Sequence, residues 1–486
     1  MASLSRRKLL GTAGVATLGV VGVAAIGGCG ETQVVEVVKE VPVEKVVTQI
    51  VEKAVVQEKI VEKVVTQEAM AMKPKQITGE FEYWDWWNPA SGVESKNWFE
   101  WIKADFEAQN PGLKIKMQHV PFGNEYVQKF QAAAAAGNPP DIMHSSIIWA
   151  RDFYDLGTLE AFNDLIKTDS SMTMDHFMDG ALFYNQKEGQ IFGIPMEGPD
   201  SYVMFYDKDM LLEQGLDPSF DAVWNWDWDT FRENVNKLTT RKDDGSVDRS
   251  GFLVSIPHGG LFSVWQHVQG AKFYNENQDG LAILDGSTKN FIEYTMALLN
   301  EDKVSLPLGP ERQDFQQYLQ GKSAFVIGGT WGIARVRNGA PEKNFDFVPF
   351  PEGPGGDGPA TTTWYNMVVM PKKAKMKEAA WRWAQYYAGL QSFKDRIRIM
   401  SRFAPRKALY VSDEWNNSVK REPLLTRVPR IAPTGGAYPF IRYNEVNNIV
   451  KPKLESIYIE GADIDQTLQE IVDEADPILQ EAGGRS

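Results

Sequence analysis

Residues 81–143 read FEYWDWWNPASGVESKNWFEWIKADFEAQNPGLKIKMQHVPFGNEYVQKFQAAAAAGNPPDIM, and this stretch decides the fold. Phe81-Glu82-Tyr83-Trp84 has the aromatic makeup of a strand, and 85–95 follows as a loop. Residues 97–109 put Trp98, Trp101, Ile102 and Phe106 on one side of a helix that stops at Asn110-Pro111-Gly112. Residues 113–120 alternate as a second strand. Residues 126–136 form a helix with Gly137 at its C-terminal cap, and Asp141-Ile142-Met143 starts a third strand. Strand, helix, strand, helix, strand is the pattern of a parallel α/β sheet, which takes its ligands beyond the carboxyl ends of the strands.

The alternation continues downstream. Helices are expected at 228–238, opened by Asp227 or Asp229, at 315–320 and at 377–390, with strands at 323–327 and 368–370. Segments 195–199 and 351–359 are rich in proline and glycine and read as breaks. A chain of 486 residues is too long for one core and predicts two domains plus non-globular segments. Its 43% hydrophobic and 12% aromatic content suits a packed body. The net charge of −14 argues against nucleic acid or an anionic membrane surface as partners of that body.

Upstream, Ser5-Arg6-Arg7-Lys8-Leu9-Leu10 leads into an uncharged, glycine-diluted apolar stretch ending at Gly28. This is the form of a twin-arginine signal peptide over 1–28, and the glycines make it a poor membrane-spanning helix. The single cysteine, Cys29, follows Ile26-Gly27-Gly28 in an arrangement that resembles a bacterial lipobox, which implies lipidation of Cys29. From Glu31 to about Gln76 the composition turns to Val, Glu, Lys and Gln, and the heptapeptide Val43-Glu44-Lys45-Val46-Val47-Thr48-Gln49 recurs as 61–67. A shift of 18 residues is five helical turns, while the valines and Pro42 oppose a helix. A stalk that is helical or self-associating and a disordered tether are both open readings of 29–76.

Four blocks of the body, in this order, resemble the family 1 extracellular solute-binding proteins, the carbohydrate-binding components of ABC importers that include maltose-binding protein. They are Gln131-Ala132 through Gly137-Asn138-Pro139-Pro140-Asp141-Ile142; Gly193-Ile194-Pro195 with Phe205-Tyr206-Asp207-Lys208-Asp209-Met210-Leu211; Gly321-Lys322-Ser323-Ala324-Phe325 leading to Gly328-Gly329-Thr330-Trp331; and Met370-Pro371-Lys372 with Ala404-Pro405-Arg406. The resemblance implies an α/β, two-lobe periplasmic-binding-protein fold with hinge crossovers, preceded by the signal peptide and the Val/Glu/Lys-rich stalk. Lobe 1 is expected over 77–198 plus 362–404 and lobe 2 over 199–361 plus 405–486, with crossings near 198–201, 361–363 and 402–406. It further implies a non-enzymatic receptor on the extracytoplasmic face of the membrane, with a sugar as ligand and the permease subunits of an ABC importer as partners; the numerous cleft aromatics favour an oligosaccharide over a monosaccharide.

A pyranose offers a C–H face and a rim of hydroxyls, so its site needs flat rings together with Asp, Asn, Gln, Glu or Arg. Trp86, Trp87 and Asn88 supply these just after the first strand, whereas Trp84 is expected in the core. Trp331, opened by Gly328 and Gly329, is the foremost candidate, and by resemblance its ring stacks on the sugar. Asp200 matches an acidic contact at the first crossover. His144 and Ser145 at the third strand end, Trp265, Trp364-Tyr365-Asn366 at the return crossing, and Arg406 complete the candidate set; Arg406 either grips hydroxyls or pairs with a hinge carboxylate.

Other motifs point away from function. Trp224-Asn225-Trp226-Asp227-Trp228 directly precedes a helix and is read as packing beneath it. No histidine spacing suits a metal, no phosphate-binding glycine loop is present, and 275–280 imitates a calcium loop but has Gly286 where a glutamate is needed. No cofactor is expected. No basic site for a phosphorylated ligand is visible in the sequence. The alternatives are a secreted glycosidase, which needs two carboxylates flanking the bond, and a surface lipoprotein assembled through its stalk.

Overall fold

The computed structural model describes residues 77–308 and 314–483; the signal segment, Cys29 and the repeat stalk lie outside the described residues. Within the body, Trp98, Phe99, Ile102 and Phe106 recur at helical spacing and are buried, which fixes one face of helix Val93–Gln109. The helix starts at Val93, four residues before the expected position, because the break comes at Gly92. Trp101 is half-buried and stacks on Trp98.

The first sheet has the order Leu113–His119, Gly79–Asp85, Ile142–Ser145, Met367–Val369, Ile194–Pro195. The first three strands are parallel, as the alternation of strands and helices requires. Met367–Val369 then runs antiparallel to both its neighbours, so the sheet is mixed. Phe81, Tyr83, Phe106, Trp383 and Tyr387 fill its core with ring centroids 5.0–5.7 Å apart. Removing each such ring from water contributes about 4–6 kcal/mol as an upper estimate. The expected helix 377–390 is two helices, Lys377–Tyr387 and Leu390–Met400, because the backbone is extended at Gly389.

The second sheet centres on Asp200–Asp207, which pairs antiparallel with Ser323–Gly329 on one side and with Thr361–Trp364 and Phe345–Val348 on the other. Val247–Phe252 extends it beyond Ser323–Gly329, and Gly435–Ala437 pairs parallel with Thr361–Trp364. Helix Trp228–Leu238 is capped by Asp227, whose carboxylate accepts from the Thr230 N–H at 2.8 Å. Trp226 and Trp228 are buried beside it.

The two sheets are the cores of two lobes, and the chain passes between them along short segments. The first passage is 196–199, between Ile194–Pro195 and Asp200–Asp207, and includes a cis Gly198–Pro199 bond. Gly198 has φ +104°, and a Cβ there would stand 2.7 Å from the Trp364 carbonyl oxygen, so the two passages touch through a position only glycine suits. Thr361–Trp364 still belongs to the second sheet, so the return passage is Tyr365-Asn366, slightly later than 361–363. The third passage is also later than 402–406. Arg406 bonds to first-lobe carbonyls, and helix Asp413–Arg421 packs on Leu390–Met400 before Glu422 and Arg427 reach Arg337 and Asp346 of the second lobe.

Candidate functional site

The end of strand Gly79–Asp85 and the end of Ile142–Ser145 lie side by side, which brings Asp85, Trp86, Trp87 and His144 together. Trp86 stacks on His144 with centroids 3.4 Å apart, while Trp87 meets the same imidazole edge-on at 5.4 Å. Trp84 and Trp86 both contact Tyr126 and Trp87 does not, as alternation along an extended chain dictates. Trp84 and Trp87 are buried and Trp86 is half-buried, so this wall is a packed aromatic layer with its open surface on Trp86.

Beneath it runs a buried polar network. Asp85 faces Nδ1 of His144 at 3.0 Å and accepts from the Trp87 N–H and the Tyr83 hydroxyl. Glu197, in the first passage, accepts from Asn366 Nδ2 at 2.8 Å and lies 3.3 Å from His144 Nε2, off the hydrogen-bond axis. Burial alone would lower the His144 pKa, but Asp85 and Glu197 together outweigh it and raise it. For Glu197 burial acts upward and is overcome by His144 and Arg402, leaving it below the usual carboxylate range. Asp200 is pushed the other way by burial and by the Glu197 charge, and it accepts from the Thr330 hydroxyl at 3.4 Å. Arg396 is fully buried below Trp87, donating to the Met196 and Phe403 carbonyls.

A second aromatic group belongs to the second lobe. Trp331 follows strand Ser323–Gly329 and is 38% exposed, unusual for an indole in a packed body. Its six-membered ring lies over Gly329, where a Cβ would be 2.0 Å away, so the glycine makes this pose possible. Tyr202 and Trp364 hold it edge-on at 6.1 and 5.5 Å, and Tyr438 packs behind Trp364. Between the lobes is a cavity of about 590 Å³, lined from the first by Ser91, Glu94 and Ser95, from the second by Thr330 and Trp331, and also by Arg402. That volume falls in the range of small-molecule sites, roughly 300–1,000 Å³.

Of the candidate residues, Trp331 lines this cavity; His144, Asn366, Asp200 and Trp364 lie at the crossovers, with Trp86 and Trp87 packed on His144. The others lie elsewhere. Trp265 is 1% exposed and packs against Trp228, Tyr294 and Phe350, because the short helix Gly260–His267 is buried on every side along 260–266. Arg406 points into the first lobe, donating to the Ala388 and Ser171 carbonyls with its guanidinium over Phe177; burial lowers its pKa to about 10. Asn88 caps the turn Pro89–Ser91 through the Ala90 N–H, and Ser145 is enclosed within its strand. Tyr365 lines a separate cavity with Met178, Pro199 and Ala437. The sequence reading missed Glu197, Arg396 and Arg402; the one available signal is that Glu197 is a charged residue inside the apolar, proline-flanked run 194–199. Among the described residues no His, Cys, Asp and Glu cluster could hold a metal.

Two mixed sheets linked by short passages around an aromatic, interlobe cavity define a two-lobe solute receptor. The chain belongs to the bacterial extracellular solute-binding proteins, whose family signature matches residues 101–423. It is similar to the maltodextrin-binding protein MdxE of Bacillus subtilis (strain 168), 23% identical over 406 residues, covering 75% of this chain and 89% of that one. Its fold is that of the GacH receptor of Streptomyces glaucescens GLA.O, solved unliganded and with acarbose (TM-score 0.70, 17% identity, 83% of this chain and 99% of that one). The Listeria monocytogenes ABC substrate-binding protein Lmo0181, solved with cycloalternan, is equally similar (TM-score 0.71, 18% identity, 84% and 100%). The family is extracytoplasmic, and among the described residues no helix is long and apolar enough to cross a membrane.

Proposed function

We propose that this protein is the receptor of an ABC importer, that it closes on an oligosaccharide between its lobes, and that it hands the sugar to membrane permease subunits. The observation that carries the reading is the exposed Trp331 ring, braced by Tyr202 and Trp364, over a cavity that polar groups of both lobes line. A flat ring takes the sugar's C–H face and the polar groups take its rim. The named sugars of MdxE, GacH and Lmo0181 support the same ligand class. The reading is of a binder and not a glycosidase: Glu197 is engaged by Asn366 and His144, so it is not free to flank a glycosidic bond.

A thermal-shift screen against a solute library tests this, since a ligand that binds only the native state raises the melting temperature. Saccharides should give the shifts, and a library in which only amino acids, peptides or polyamines do so overturns the sugar. We further propose export by the twin-arginine route and anchoring through an acylated Cys29, with 29–76 as the stalk. Cys29→Ala should then release the protein from membranes or block its processing, and parent protein recovered wholly in the soluble fraction counts against the anchor.

A further inference from the structure

Arginines from both lobes line the interlobe cavity, and one of them, Arg335, has no anionic partner among the described residues. Three arginines line it. Arg337 is engaged, donating to both carboxylate oxygens of Glu422 at 2.7 and 3.2 Å. Arg335 is exposed, lies over the Phe315 ring at 4.4 Å, and makes no hydrogen bond or ion pair among the described residues. Arg402 lies 5.3 Å from the Trp87 ring, and its nearest anion, Glu197, is 3.7 Å away and beyond hydrogen-bond reach. Each guanidinium offers five N–H donors and no acceptor, so Arg335 faces the cavity with its fork unused, while Arg402 shares its charge with Glu197 but keeps its N–H donors free of hydrogen bonds.

A second feature has the same sign. Helix Gly332–Gly339 begins at Trp331 with no side chain capping it, and its first turn lines the same cavity. Unpaired N–H groups at a helix start carry partial positive charge and favour an anion. The chain as a whole has a net charge of −14, so this wall is not a sample of its surface. A saccharide hydroxyl donates one hydrogen bond and accepts up to two, whereas an anionic group only accepts, as a guanidinium only donates; of the two carboxylates in the lining, Glu422 is engaged by Arg337 and Glu94 is unpaired.

Resting on the saccharide reading above, we infer that the ligand is an acidic saccharide, bearing a carboxylate or phosphoester. Its anionic group is held by Arg335 and Arg402 near the start of helix Gly332–Gly339, with a sugar face on Trp331. Sequence alone does not point to such a site, because these arginines are 67 residues apart and line one cavity only in the fold.

Titration calorimetry on the full chain tests this with maltotriose and mannotriose as neutral probes, and trigalacturonate and glucose 6-phosphate as acidic ones. An acidic probe should bind at least about tenfold more tightly than either neutral one at low salt, and the advantage should shrink as salt screens it. Arg335→Gln should cost the acidic probe about ten- to a hundredfold and leave a neutral probe within about threefold, which is the worth of a charge-assisted hydrogen bond. Arg335 is exposed, so the unliganded melting temperature reports separately that the variant folds. Trigalacturonate alone responding marks a carboxylate, and glucose 6-phosphate alone a phosphoester. If neutral probes bind and acidic ones bind no tighter, or if Arg335→Gln weakens all probes alike, the acidic ligand is wrong while the saccharide receptor stands. If no saccharide of either kind binds, both fall together.

Discussion

At the residue scale, Trp331 and Trp265 differ in how far the sequence announces an indole's exposure. Trp331 sits after Gly328-Gly329, and its ring occupies space that a side chain at Gly329 would fill. Trp331→Ala should therefore weaken saccharide binding by about ten- to a hundredfold, since burying such a side chain against ligand is worth roughly 1.5–3 kcal/mol. The unliganded melting temperature should change little, because the ring is 38% exposed. A clear fall in melting temperature with affinity intact would make it a core residue instead. Trp265 lies in a helix whose residues 260–266 are all buried, so periodicity could not say which side faced a ligand. Glu197 and Arg402 were illegible for another reason: each gains its meaning from the other, and only the crossovers bring them together.

At the scale of elements, periodicity and caps located the first strands and helices to within a few residues, and of the two acidic residues offered as a cap for helix Trp228–Leu238 the structure uses Asp227. Direction was not legible. Nothing in Met367-Val368-Val369 states that it runs antiparallel between two strands laid down more than 160 residues earlier. Nor does composition reveal that Gly389 interrupts a helix whose flanks are both helix formers. The passages carry their own test. Gly198→Ala forces a side chain into φ +104° and to 2.7 Å from a backbone oxygen. It should cost about 1–3 kcal/mol, measured as a lower urea midpoint. An unchanged midpoint would show that the passage gives way freely.

At the scale of the whole body, the lobes also meet away from the crossovers. Asp152, on first-lobe helix Ile147–Asp155, accepts from the Arg442 N–H at 3.2 Å, just ahead of second-lobe helix Tyr443–Glu455. Burial lifts the Asp152 pKa to about 7 against the pull of Arg442. A pKa raised above its unfolded value gives stability that is present at low pH and lost as pH rises through the folded value. Going from about pH 5 to pH 8 should thus lower the melting temperature more in the parent than in Asp152→Asn, which cannot ionise. Equal slopes would mean the carboxyl stays hydrated. Two lobes on short passages should also close on ligand, seen in small-angle scattering as a smaller radius of gyration, and an unchanged radius at saturation argues for a rigid receptor.

The interleaved sheets set a timetable for synthesis. Ile194–Pro195 gains its place in the first sheet only through Met367–Val369, some 170 residues later. At 5–20 residues per second a ribosome needs roughly 10–35 s to make that stretch. During that interval the three parallel strands expose the edge of Ile142–Ser145, which Met367–Val369 will cover. The nascent chain thus carries an open edge for nearly half of its translation, and a chaperone or rapid completion of the chain must keep it from pairing with a neighbour.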